Sequence, residues 1–328
     1  MTPFEGHERQ ATTMLDAASS GRLHHGWILA GPQGIGKGAF ARAMALRLLA
    51  DAAGPPIMEQ GLEVPVEHPI ARIMAAGSHP DYAELECLEK EKEGTRARNI
   101  SVDQIRGLSR LIHSVPSLSR RRVVVIDSAD DLERSAANAL LKSLEEPPAD
   151  MLFLLVAHAP ARLLPTIRSR CHVLRFDPLD DAAMRRILRA HQGEEMSEAE
   201  LDVLVRAGEG SPGKALRYAG LNLAEMERAL NAIATHGDSD NRERLALVKM
   251  LSTKAAKPRF EAFLERAPAF IAKAAHSLQG AALGNALTHW DAARQLASGA
   301  VILSLEPGSV VFELAGHVAA LAPSRLAA

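Results

Sequence analysis

Between Trp27 and Phe176 short apolar runs alternate with longer stretches whose apolar residues recur every three or four positions. Four of the runs are too short for buried helices and rich in branched or aromatic residues, which predicts strands: Trp27-Ile28-Leu29-Ala30, Val123-Val124-Val125-Ile126, Leu152-Phe153-Leu154-Leu155-Val156 and His172-Val173-Leu174-Arg175-Phe176. The run at 123–126 is apolar at every position, so both faces of that strand belong in a core. Phe40, Met44 and Leu48 at i, i+4 and i+8 mark the buried face of a helix. Ser101 followed by Gln104 is a capping-box start for a helix that gathers Ile105, Leu108 and Ile112. A helix near Ser135 to Glu146 stops at Pro147-Pro148. Strands alternating with helices over residues 1–178 predict a three-layer α/β domain with a mainly parallel sheet.

The pattern then changes. Residues 179–220 signal three short helices: one through Met184, Ile187 and Leu188, one starting at the capping box Ser197 to Glu200, and one with Ser211 as N-cap and Pro212 at its first position. This predicts a small helical lid. Residues 221–328 are rich in Ala and Leu with helical periodicity and few prolines before Pro307, which predicts an all-α C-terminal domain. Trp290, Leu296, Val301 and Leu303 could serve a surface that meets other chains or equally be ordinary core. Residues 51–69, with Gly54-Pro55-Pro56, are poor in pattern and predict a loop or insertion.

Length supports this division, because 328 residues exceed what one core usually serves. A formal net charge of -2 argues against a molecule held on nucleic acid by bulk electrostatics. Cys87 and Cys171 form neither a CxxC pair nor a disulfide framework, so a reducing cytosol is expected and thiolate metal binding is not. The longest apolar run, Met151 to Ala157, is too short to span a bilayer, and the first residues lack a leader pattern. A soluble, cytoplasmic protein is the expectation.

The candidate chemistry starts after the first strand. Gly31-Pro32-Gln33-Gly34-Ile35-Gly36-Lys37 fits G-x-x-x-x-G-K between a buried strand and an amphipathic helix, where backbone N–H groups can cradle phosphates and Lys37 can neutralise them. Without the lysine such a glycine-rich turn would often be structural only. The next position calls for Ser or Thr, whose hydroxyl ligates Mg²⁺, and here it is Gly38. Asp127, closing the strand at 123–126, stands where such sites hold their metal; its plainer reading is a solvated strand-end carboxylate. Ser128 follows it, where an acid to orient the attacking water is expected, and the next acid is Asp130.

Two further segments carry a resemblance. Asn138-Ala139-Leu140-Leu141-Lys142-Ser143-Leu144-Glu145-Glu146-Pro147-Pro148 and Leu164-Pro165-Thr166-Ile167-Arg168-Ser169-Arg170-Cys171 closely resemble bacterial clamp-loader subunits. With Gly31 to Lys37, Gly77-Ser78-His79-Pro80-Asp81 and Asp127 to Asp130, the match spans most of residues 20–178 and is similar to the delta-prime type of DNA polymerase III. The resemblance implies an AAA+ P-loop fold, a lid, and a C-terminal collar that forms a hetero-oligomeric ring with gamma or tau and delta subunits. It also implies work on the sliding clamp and primer-template DNA. Arg170 matches the family's trans-acting arginine, which reaches the γ-phosphate held by a neighbouring subunit. A guanidinium suits that task because it stays charged and contacts phosphate in a fork. From residue type alone, a surface arginine paired with a local carboxylate is the stronger reading of Arg170, and the surrounding eight-residue match reverses that in favour of the trans role.

The departures from the family pattern matter as much. Many relatives carry a four-cysteine zinc module before the Gly-Ser-His-Pro-Asp segment, but residues 51–77 contain no Cys, so zinc is not expected and His68 and His79 read as loop histidines. Gly213, in Gly210 to Ala215, occupies the place of a nucleotide-sensing arginine, with Lys214 one position out of register. Gly31, Gly34, Gly36, Lys37, Gly38 and Asp127 are therefore expected to form a degenerate nucleotide site, with no certain cofactor and at most weak ATP or ADP binding. Losses in cis with Arg170 kept in trans imply a largely non-hydrolysing ring subunit. The competing reading is an active AAA+ ATPase, a gamma-like motor or another remodeller. A third, direct DNA binding, leans on Arg96, Arg98, Arg106, Arg110 and Arg120-Arg121-Arg122, offset by the acids between Glu84 and Glu93.

Overall fold

The computed structural model describes residues 4–88, 99–192 and 196–322. In chain order the helices and strands are α1 Glu8–Ser19, β1 Gly26–Ala30, α2 Lys37–Ala52, α3 Pro69–Ala75, β2 Tyr82–Leu85, α4 Val102–Gly107, α5 Ser109–His113, β3 Arg122–Asp127, α6 Arg134–Glu145, β4 Met151–Ala157, α7 Pro165–Arg168 and β5 His172–Arg175. There follow α8 Asp181–Gln192, α9 Glu198–Gly208, α10 Pro212–Tyr218, α11 Leu223–His236, α12 Arg242–Leu251, α13 Lys257–Ala275, α14 Gly280–Ile302 and α15 Pro307–Ala319. The chain divides into two compact units: residues up to 197 together with 205–216, and residues 198–204 together with those from 217 on.

The first unit is built on a five-stranded sheet of order β2-β3-β4-β1-β5 in which every pairing is parallel. Successive residues of a strand point to opposite faces, and two separate cores follow that alternation. Trp27, Leu29, Val123, Val125, Leu152, Leu154 and Val156 join Phe40, Met44 and Leu48 of α2 on one side. Ile28, Val124, Ile126, Phe153 and Leu155 join Ile105, Leu108, Ile112, Leu140 and Leu144 on the other. This is the three-layer α/β arrangement expected from the unbroken apolar runs. The capping box is present at α4, where Ser101 Oγ accepts from the Gln104 N–H and Gln104 Oε1 accepts from the Ser101 N–H.

One strand escaped the sequence pattern. β2 is four residues long, half-buried and contains Glu84, so it has no apolar run to give it away. It is fixed instead by its register on β3 and by Asp81 just before it. The Asp81 carboxylate, almost fully buried, accepts from the backbone N–H groups of Ser117, Leu118 and Ser119 at 2.7 to 2.9 Å. His79 Nδ1 in turn accepts from the Asp81 N–H. His68 caps α3 by accepting from Ile70 N–H.

The second unit is helical. α13 and α14 pair along their length, α15 packs on α12 and α14, and Val310, Val311, Leu314 and Val318 of α15 are buried with Phe263, Leu264 and Ile271 of α13. Pro268 lies inside α13, fully buried, where the sequence rule expects a break. Of the four residues for which surface and core were both open, Val301 and Leu303 are exposed at the end of α14, and Trp290 and Leu296 are half-buried. The core seam of α14 is narrow and made of Ala286, Ala293 and Ala300, seven residues apart, so its bulkier residues turn outward. No helix among the described residues is long and apolar enough to cross a membrane.

Candidate phosphate-loop site

Ligands of open α/β sheets bind beyond the C-terminal ends of the strands. There, β1 runs into the loop 31–36, with Gly34 and Gly36 at φ 79° and 100°, and α2 starts at Lys37. Asp127 ends β3 beside it. Gly31, Gly34, Gly36, Lys37, Gly38 and Asp127 thus lie together, and their chemistry is turned inward.

Lys37 is 2% exposed. Its Nζ donates to Gly31 O at 2.7 Å and Pro32 O at 2.6 Å, and lies 2.9 Å from His158 Nδ1. Burial lowers its pKa to about 8, against the pull of Asp127 and Asp130. The ammonium that would meet a phosphate is consumed by the loop's own carbonyls. His158 follows β4; its Nε2 lies 2.9 Å from Ser128 Oγ, and burial together with Lys37 lowers its pKa. Asp130 accepts from the backbone N–H groups of His158 and Ala159, which commits that carboxylate to holding the β4 end.

The metal position is also filled. A Cβ at Gly38 would stand 2.2 Å from Asp127 Oδ2 and 3.3 Å from Arg42 Nη2, so a Ser or Thr there would have to displace the Asp127 carboxylate. Arg42, one turn along α2, bonds Glu84 at 2.5 Å and lies 3.9 Å from Asp127. Tyr82 donates to the same Glu84. A guanidinium therefore supplies the positive charge that a metal would bring to Asp127. Burial still pushes the Asp127 pKa up, with Arg42 opposing.

The loop is covered as well. Ser211 Oγ donates to Gln33 O at 3.1 Å, Gly213 N–H donates to Gly34 O at 2.8 Å, and a Cβ on Gly213 would meet Gly34 Cα and O at 3.0 Å. Gly213 can close on the loop because it has no side chain. Ser211 also caps α10 by accepting from the Lys214 N–H, while Lys214 Nζ pairs with Glu209. On another flank His7 Nε2 bonds Ile35 O, and its ring packs edge-on against Phe176. Tested against a magnesium nucleotide, the residues in this arrangement do not fit it. Among the described residues no group of three metal-ligating side chains occurs either.

Arg170 lies at the other end of the sheet. A Cβ at Gly26, the first residue of β1, would come within 2.9 Å of Cys171 Sγ and 3.4 Å of Arg170 O. The phosphate loop leaves the last residue of the same strand, about 13 Å away at ~3.3 Å per residue. The Arg170 side chain is 36% exposed; Nη2 meets Glu145 Oε1 at 2.8 Å, and Nη1 donates to Thr166 O at 3.0 Å and Ser169 Oγ at 3.3 Å. Burial pushes the Cys171 thiol up to about 12, which leaves it a packing residue.

Sequence reasoning missed His158 and Arg42. His158 directly follows a predicted strand adjacent to the loop strand, a place where site residues gather, and that was its signal. Arg42 carried none beyond lying four residues after Gly38. The basic run also divides differently from a solvated face. Arg122 is buried and donates to the carbonyls of Leu111, Ile112, Ser114 and Ala149, so it ties β3 to the α5 end. Arg106 pairs with Asp103, and Arg96 and Arg98 lie outside the described residues.

The family model described as DNA polymerase III, delta subunit, matches residues 6–180. The chain is 41% identical over 210 residues to the DNA polymerase III subunit delta' of Pseudomonas aeruginosa, covering 62% of this chain and 58% of that protein. It is 34% identical over 224 residues to the Escherichia coli subunit delta', covering 67% and 62%. It is also 33% identical over 210 residues to the gamma/tau subunit of Mycobacterium tuberculosis, covering 63% of this chain and 34% of that protein. The aligned regions span less than two thirds of each relative. With more than half of its length matched by the family model, the chain belongs to the DNA polymerase III delta subunit family.

Proposed function

We propose that the chain is a delta-prime-type clamp-loader subunit acting in DNA replication, a largely non-hydrolysing member of a ring that supplies Arg170 to the ATP site of an adjoining subunit. The carrying observation is the internal use of Lys37, which spends the loop's cation on Gly31 O, Pro32 O and His158. A second support is position. Arg170, at the opposite strand end, is out of reach of this chain's own loop and half-exposed on the surface. Within this reading the partners are gamma/tau and delta subunits, with the sliding clamp and primer-template DNA engaged through the complex. The residues up to 178 serve as the P-loop domain, 179–220 as the lid and 221–328 as the collar.

The test has two arms. The purified chain is expected to show no ATP turnover above background; turnover abolished by Lys37→Ala would favour an active ATPase instead. In the reconstituted loader, Arg170→Ala is expected to slow turnover at the adjoining site by about 10³-fold or more while the ring still assembles. Unchanged turnover would refute the trans role.

A further inference from the structure

The residue facing Arg170 has no part in the reading above. Glu145 is the last residue of α6, and its Oε1 accepts from Arg170 Nη2 at 2.8 Å. Its backbone is anchored, because the preceding carbonyl, Leu144 O, bonds His25 Nε2 at 3.0 Å. Arg170 Nη1 is bonded to Thr166 O and Ser169 Oγ, both of the α7 turn. Both terminal nitrogens of the guanidinium are therefore engaged within the chain.

A phosphate takes a guanidinium through two adjacent N–H groups directed at its oxygens. It binds best when the cation is not neutralised by a carboxylate beside it. Glu145 supplies such a carboxylate, and a triphosphate approaching Arg170 also meets this negative charge. We propose that Glu145 is a latch on Arg170, a carboxylate that holds the guanidinium in the unengaged chain and that an incoming triphosphate displaces. The proposal rests on the trans role of Arg170 put forward above.

The exposure of the pair sets the size of the effect. The side chains are 36% and 47% exposed, so the contact is weak and exchangeable. Surface pairs of this kind bias an equilibrium by about two- to fivefold. The latch thus restrains Arg170 without locking it. Salt weakens it further, because exposed charges are screened over ~10 Å at 0.1 M.

The experiment is a double-mutant cycle on the reconstituted loader, using Glu145→Gln, Arg170→Ala and both together, with ATP turnover measured at low and high salt. Glu145→Gln keeps the shape and an acceptor oxygen, and circular-dichroism melting of each variant checks folding. Glu145→Gln is expected to raise turnover or lower the KM for ATP two- to fivefold at low salt, with the gain shrinking at high salt and absent in the Arg170→Ala background. If Arg170→Ala slows turnover but Glu145→Gln leaves it unchanged or lowers it, the latch is wrong while the trans role stands. If Arg170→Ala has no effect, the trans role fails and the latch with it. A gain from Glu145→Gln that persists without Arg170 also overturns the latch.

Discussion

Replacing Lys37 by Met retains chain length and bulk and removes only the ammonium. In a loop that exposes its lysine for a ligand, this would alter stability by no more than about 0.5 kcal/mol, as for other surface changes. Here Nζ is buried and serves three acceptors. Each buried acceptor left without its partner costs about 1–3 kcal/mol, roughly 6 kcal/mol for three. Against this, Met avoids the desolvation that brings Lys37 from 10.5 down to about 8, worth about 3 kcal/mol at ~1.36 kcal/mol per pH unit. The balance is a loss of about 3 kcal/mol at pH 7. The sign of the pH dependence is fixed too. Folded Lys37 releases its proton near pH 8 while the unfolded chain keeps it to about pH 10, so in that window the unfolded state binds more protons and wild-type stability rises by about 1.4 kcal/mol per pH unit. The variant lacks that contribution, and its deficit widens above pH 8. Urea unfolding in a Trp290→Phe background, where Trp27 in β1 reports on the sheet unit, measures both effects. A loss below about 0.5 kcal/mol at pH 7 and pH 9.5 alike would refute the internal role of Lys37.

The Asp81 carboxylate is buried, which would raise its pKa, but three backbone N–H bonds outweigh this and hold it below the ordinary value. Its contribution is therefore present above pH 4 and lost as pH falls through its folded value; Asp81→Asn is expected to cost about 3 kcal/mol at neutral pH and progressively less in acid, read by denaturant unfolding across pH. Restoring the metal hydroxyl with Gly38→Thr should drive Asp127 off Arg42, cost about 1–3 kcal/mol by overpacking and yield no ATPase activity; a stable variant that hydrolyses ATP would contradict the filled metal position. The effects of Arg170→Ala and Glu145→Gln in the assembled loader complete the set.

Most of the sheet unit was legible from local pattern. The runs at 27–30, 123–126 and 152–156 each became a strand because burial on both faces requires apolar residues at every position, whereas the run at 172–176 became the largely exposed edge strand β5. β2 was not legible, since a short edge strand carrying Glu84 satisfies no such requirement and owes its place to hydrogen bonds with β3. In the helical unit the periodicity told where helices run but not which side chains a seam of alanines would leave outside, so Val301 and Leu303 came out exposed.

The sequence by itself determined the layers, the succession of four of the five strands with their helices along the chain, and the place and residue types of the phosphate loop. Those properties depend on spacing along a few residues and on which residue types are present. Only the tertiary structure decided what the remaining groups bind. His158 stands 121 residues from Lys37, Ser211 stands 178 residues from Gln33, and Glu145 reaches Arg170 from a different helix. Periodicity gives a side chain its face, but its partner is set by which distant segment the fold lays against that face.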